Sequence, residues 1–111
     1  MADSETLFVY VTVGDRDAAL AIGRALVEAR LAACANVIDG MESIYRWQGA
    51  IEQAKEAVLI LKTRSALLET LTEKVRALHD YDCPCVVALP ILGGNPAYLD
   101  WIAEQTSEGS A

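Results

Sequence analysis

A chain of 111 residues makes one domain and has too little length for two. Nine Lys and Arg against 16 Asp and Glu leave a net charge of −7 and a pI near 4.5. That balance disfavours a phosphate backbone and an anionic membrane surface, so neither nucleic acid nor membrane is an expected partner.

Leu7 to Val13 (LFVYVTV) is a short apolar, β-rich run ending at Gly14-Asp15, which predicts a buried strand. Asp15 is a suitable helix N-cap. From Arg16 to Arg30, Ala18, Ile22, Ala25, Leu26 and Ala29 keep helical spacing, and this Ala-rich stripe implies close approach to a sheet. Cys34 to Trp47 reads as a second strand, with Val37, Met41, Ser43, Tyr45 and Trp47 on one parity. Asp39 breaks the pattern, and Gly40 marks a bulge or bend there. Gln48-Gly49 reads as a tight hairpin turn. The return strand runs from Ala50 to Thr63; Ile51 to Glu56 is polar and Ala57 to Leu61 continuously apolar. The hairpin is therefore a long arm projecting beyond the core, and such an arm needs another chain to lie against.

Ser65 can cap a second helix, in which Leu68, Leu71, Val75 and Leu78 keep 3- and 4-residue spacing. His79 and Asp80 sit at its end. Pro84 and Pro90 bracket a last core strand, Cys85 to Ile91. Gly93-Gly94 is a turn, and Asn95-Pro96 starts a short helix carrying Tyr98, Leu99, Trp101 and Ile102. The whole chain is expected to form a single domain, with a core over residues 7–104 and flexible ends over 1–6 and 106–111.

The order β-α-β-β-α-β plus a terminal helix predicts an α+β, ferredoxin-like sandwich. Two helices cover one face of a four-stranded antiparallel sheet, and the other face is left bare and rich in Val, Ile and Leu. A domain of this size buries only about 65% of its unfolded surface, and 53% of its residues are hydrophobic. Both features predict association. The same richness excludes a disordered chain, yet no apolar run approaches the ~18 residues of a membrane span. Three cysteines are no disulfide framework, and Met1 to Thr6 hold no basic stretch followed by an apolar one. A reducing cytoplasm is the expected compartment.

Several segments, taken in order, resemble one family. They include Tyr10-Val11-Thr12-Val13, Leu31-Ala32-Ala33-Cys34-Ala35-Asn36, Ser43-Ile44-Tyr45-Arg46-Trp47-Gln48-Gly49 and Leu61-Lys62-Thr63. Further along come His79-Asp80-Tyr81-Asp82, Ala88-Leu89-Pro90-Ile91 and Asn95-Pro96-Ala97-Tyr98-Leu99-Asp100-Trp101. Together they resemble the CutA family of divalent-cation tolerance proteins, over about residues 7 to 104. The resemblance implies a ferredoxin-like fold, a stable homotrimer with arms paired across subunits, and a role in metal tolerance or copper binding. Its trimer architecture is similar to that of the PII signalling proteins, which bind small ligands between subunits. This chain departs from the family pattern in having Cys85 where an acidic residue usually follows the Pro. It also has Leu78 and Val11 where some relatives carry His and Cys.

The residues themselves carry one chemical stretch, His79 to Cys85. Cys83 and Cys85 are two apart, so an extended backbone points both thiols to one face. Thiolates are soft ligands for Cu(I) and Zn, and imidazole suits both. His79 can complete a three-coordinate site, with Asp82 a harder donor and Cys34 a further candidate. Against this stands a plainer reading: packed thiols, and a helix-end histidine cation beside the last carbonyls. Tyr45, Trp47, Lys62, Tyr81, Tyr98 and Trp101 form a candidate cleft and interface set. Lys62 there meets either an anionic ligand or a carboxylate. No GxGxxG after a strand, P-loop, HExxH or G-x-S-x-G elbow occurs, and no catalytic turnover is expected.

The expected protein is thus a cytoplasmic homotrimer binding copper or another transition metal through His79, Cys83 and Cys85, with Cys34 and Asp82. Two alternatives stand beside it. One is a PII-like regulatory module that holds a small anion or nucleotide through Lys62 and Trp47. The other is a structural trimer that anchors partners.

Overall fold

A computed structural model describes residues 5–107. The elements are β1 (Thr6–Val13), α1 (Arg16–Glu28), β2 (Cys34–Trp47), β3 (Ala50–Arg64), a 3-10 turn (Ser65–Leu67), α2 (Leu68–Leu78), β4 (Val86–Pro90) and α3 (Pro96–Gln105). The sheet order is β2-β3-β1-β4 with every pairing antiparallel, the ferredoxin-like arrangement expected.

Alternation sorts the strands into two faces. Leu7, Val9, Val11 and Val13 of β1 align with Thr63, Leu61, Leu59 and Ala57 of β3, and this face is buried under α1 and α2. Asp15 caps α1, its carboxylate accepting the Ala18 N–H at 2.8 Å. The buried stripe of α1 is Ala19, Ile22, Gly23 and Leu26, rotated from the expected alanines. Gly23 lets the helix lie close: a Cβ there would stand 2.8 Å from that of Ala35 and 3.2 Å from Leu59 Cδ1. In α2 the buried residues are Leu71 and Val75, while Leu78 faces out. His79, one position later, continues the i, i+4 spacing inward and takes the interior place expected of Leu78.

The arm forms as expected. Residues 39–40 interrupt the pairing between Ile38 and Met41, and Gly40 has φ +84°. Beyond this bulge Met41 to Trp47 pair with Ala50 to Glu56. Gln48 (φ 50°) and Gly49 (φ 83°) close the hairpin with both central residues in the left-handed region, the twist that matches antiparallel strands. The arm gives the domain extents of 45 × 26 × 23 Å.

The second sheet face is not wholly bare. α3 starts at Asn95, whose side chain accepts the Ala97 N–H at 3.1 Å, and it lies against β3 and β1. It approaches through Cys34, Lys62 and Arg64, all on the face turned away from α1. The Arg64 guanidinium donates to Thr106 Oγ1 at 2.9 Å and to the Thr106 carbonyl at 2.7 Å, a cationic cap on the end of α3. Arg30, itself left-handed at φ 59° after α1, donates to the Gln105 carbonyl at 3.1 Å. Thr106 was expected in a frayed tail but is buried, and Thr6 opens β1. Residues 1–4 and 108–111, the rest of the ends expected to be flexible, lie outside the described residues. What stays open on this face is apolar: Ile38, Val87 and Leu89 are 55%, 52% and 56% exposed.

Candidate functional site

The side chains expected to share one site stand at two ends of the open face. At the arm end lies a cavity of about 470 Å³. Ser43, Tyr45 and Trp47 line it from β2, Thr12 from β1 and Glu56 from β3. Tyr81, Asp82, Cys83 and Cys85 close it from the segment between α2 and β4. The bulge at residues 39–40 sets this wall, because it decides which parity of the arm faces inward. Cys83 and Cys85 both line the cavity ahead of β4, Cys83 exposed and Cys85 half-buried.

His79 does not join them. It is buried, its Nε2 lies 2.7 Å from the Thr12 carbonyl, and its Nδ1 accepts the Tyr81 N–H at 3.1 Å. A carbonyl can only accept, so Nε2 carries the proton, and Nδ1, accepting an N–H, carries none. The ring is neutral with both nitrogens engaged. This corrects both the metal-ligand and the helix-end-cation readings. The pairing of β1 with β4 ends at Val11, and one residue on the His79 ring meets the Thr12 carbonyl. His79 therefore anchors the 80–85 segment to the sheet. The Tyr81 ring packs against it at 4.5 Å between centroids.

Tyr81 reaches on to Glu56, its hydroxyl donating to Oε2 at 2.7 Å. Burial first, and then this bond to a carboxylate, hold the phenol pKa well above the ordinary 10.0. Sequence reasoning missed Glu56. Its only signal was a carboxylate placed where the polar half of β3 meets the apolar run.

Cys34 stands elsewhere. It pairs with Lys62, six residues along β3 from Glu56, or about 20 Å at ~3.3 Å per residue. Its Sγ is 3.5 Å from the Tyr98 hydroxyl. That contact first, and then burial, push the Tyr98 pKa up to about 12. Lys62 donates to Asn36 Oδ1 at 2.8 Å and sits 6.0 Å from the Tyr98 ring centre, so an amide oxygen and a π face serve in place of an anion or a carboxylate. Trp101 stacks on Tyr98 at 5.5 Å. The expected cleft set is thus two groups: Tyr45, Trp47 and Tyr81 at the arm, and Lys62, Tyr98 and Trp101 under α3. Lys62 and Trp47, expected to grip an anion jointly, do not meet within the chain. Among the described residues no three His, Cys, Asp or Glu side chains converge on one point, so the five expected metal ligands form no single site. Cys83, Cys85 and Asp82 alone share a cavity.

The fold agrees with what known proteins show. Residues 7–105 match the family described as CutA1 divalent ion tolerance protein. The chain is 49% identical over 98 residues to the divalent-cation tolerance protein CutA of Thermus thermophilus, covering 88% of this chain and 95% of that one. It is 48% identical over 101 residues to the chloroplastic CutA of Arabidopsis thaliana, covering 91% of this chain and 56% of that one. The chain thus spans little more than half the length of this plant relative. The crystal structure of CutA1 from Oryza sativa superposes with a TM-score of 0.91 at 45% identity, covering 95% of this chain and 96% of that one. A family match across nearly the whole domain, with the same four-stranded fold, places the chain in the CutA1 divalent ion tolerance protein family.

Proposed function

We propose that the chain serves divalent-cation tolerance as a homotrimer that binds a soft transition-metal ion, copper foremost, at the Cys83–Cys85 pair with Asp82 beside it. The observation that carries this reading is the two thiols facing one cavity. Thiolates select Cu(I) and Zn over harder cations, so the donors fit a thiophilic ion. His79 and Cys34 are left out of the ligand set. The names of the relatives support the tolerance role. The apolar open face and the projecting arm support the trimer, since both gain cover from another copy. A reducing compartment such as the cytoplasm belongs to the reading, because both cysteines must be thiols to bind. The reading includes no catalytic turnover: the one imidazole has both nitrogens engaged and cannot activate a thiol.

Native mass spectrometry under reducing conditions tests it, with Cu(I) added in the presence of a competing chelator. A trimer retaining copper, and losing it in the Cys83→Ser/Cys85→Ser variant while staying a trimer, is the expected result. A wild-type trimer stripped by the chelator refutes the site, and a monomer refutes the assembly.

A further inference from the structure

The bulge at the root of the arm holds a reactive pair of its own. Asp-Gly occurs once in the sequence, at Asp39-Gly40, and Asn-Gly nowhere. Ile38 pairs with Val58 and Met41 with Glu56, so Asp39 and Gly40 together stand opposite the single residue Ala57. A bulge of two residues against one leaves its extra residue out of the ladder. The Gly40 N–H is accordingly satisfied by the side chain before it, donating to Asp39 Oδ1 at 2.9 Å. The carboxyl carbon of Asp39 is one bond from that oxygen, so the Gly40 nitrogen lies within near-attack reach of it. Gly40 has φ +84° and no side chain to screen its nitrogen. Every other Asp is followed by a residue with a side chain, which crowds the same approach. Both reacting groups belong to adjacent residues of one chain, so the contact stands whatever covers the arm.

An amide nitrogen and a carboxyl carbon held this close can shut a five-membered ring. We propose that Asp39-Gly40 is a self-modification site, at which the chain isomerises through a succinimide and resets the arm. The Gly40 nitrogen gives up its proton and bonds to Asp39 Cγ. The protonated carboxyl group loses its hydroxyl, which leaves with that proton as water. The nitrogen is then bonded to two carbonyl carbons, Cγ and the main-chain carbon of Asp39. A water adds to one of these carbons, and the bond from that carbon to nitrogen breaks. Breaking at Cγ restores aspartate. Breaking at the main-chain carbon leaves the peptide running through the side chain and frees the α-carboxylate, an isoaspartyl link. One water is lost and one regained, so mass and oxidation state are unchanged. The link adds one carbon to the main chain where β2 passes from core to arm. The bulge decides which parity of the arm faces inward, so the added carbon changes how the arm sets against the core.

Ageing of the intact protein at neutral pH in heavy-oxygen water tests this. It is read by peptide mapping with electron-transfer fragmentation, which tells isoaspartate from aspartate. The expected result is isoaspartate and heavy oxygen at residue 39 and at no other Asp. The signal is lost in Asp39→Glu, whose imide would need a less favourable six-membered ring. Asp39→Asn provides a second variant should Asp39→Glu fail to fold: it closes the same ring with ammonia leaving, and isoaspartate forms several-fold faster. The folded chain forms the link no more slowly than the chain unfolded in urea, because the contact is already made. In the isolated isoaspartyl fraction, amide hydrogen exchange at the root of the arm, residues 38–41 and 56–58, is several-fold faster. No isoaspartate at residue 39, equal formation at the other Asp residues, or a signal unchanged in both variants overturns the proposal. So does a folded rate well below the unfolded one, or unaltered exchange in the isoaspartyl fraction.

Discussion

His79 is the residue on which sequence and structure part most sharply, and its replacement is the most informative perturbation. His79→Ala removes two hydrogen bonds, one to the Thr12 carbonyl and one from the Tyr81 N–H. Each neutral bond contributes about 1 kcal/mol net, and a buried carbonyl left without a partner costs about 1–3 kcal/mol. The Tyr81 ring also loses the surface it packs on. The total is a loss of about 2–4 kcal/mol, roughly 10 °C in melting temperature for a domain of this size. The assay is urea unfolding followed by far-UV circular dichroism, at one fixed protomer concentration because association shifts the midpoint. Copper competition on the folded variant is measured alongside. An anchor predicts a large stability loss with copper affinity within a few-fold of wild type. Wild-type stability together with abolished copper binding would refute the reasoning and return His79 to the ligand set.

Gly23→Ala should destabilise by about 1 kcal/mol or more, although alanine is ordinarily about 1 kcal/mol the better helix residue. The Ala35 Cβ 2.8 Å from the new methyl is fixed to its strand, so α1 must lift; a raised denaturation midpoint would contradict that close approach. Alkaline stability should fall as pH rises above 10, because Tyr81 and Tyr98 keep their protons in the folded chain past their ordinary 10.0. A group with a raised folded pKa contributes stability that is complete below its unfolded value and lost as pH climbs through the folded one. Tyr98→Phe should therefore flatten the decline between pH 10 and 12, and an unchanged slope in stability against pH would refute it. Thr106→Val removes the acceptor of Arg64 Nε and should cost about 1 kcal/mol, read as faster protease clipping of α3; equal clipping would show that this cap contributes nothing.

The local order of this protein is legible in its residues. Asp15 and Asn95 cap where expected, Gln48-Gly49 turns the arm, Gly40 marks the bulge, and the four strands pair as the ferredoxin-like order requires. These features depend on neighbours within a few positions, and spacing reports neighbours well. Cys83 and Cys85 come to one cavity from a bent segment ahead of β4, so the i, i+2 rule of extended backbone is not what joins them. What spacing does not carry is distance through space. His79 lies four residues from Cys83, yet its ring turns into the fold because Thr12, 67 residues away in sequence, presents a carbonyl at 2.7 Å. Cys34 and Lys62 carry suitable donors, but strand register sets them about 20 Å from Glu56. Thr106 resembles a tail and is buried because Arg64 reaches its carbonyl across the open face. Glu56 is one acidic residue among many until β2, β3 and the 81–85 segment enclose it together with Tyr81. Periodicity and turn chemistry determined the elements and their order, because both act over a few residues. Only tertiary structure decided which polar groups meet, because each such meeting depends on the register of separate strands.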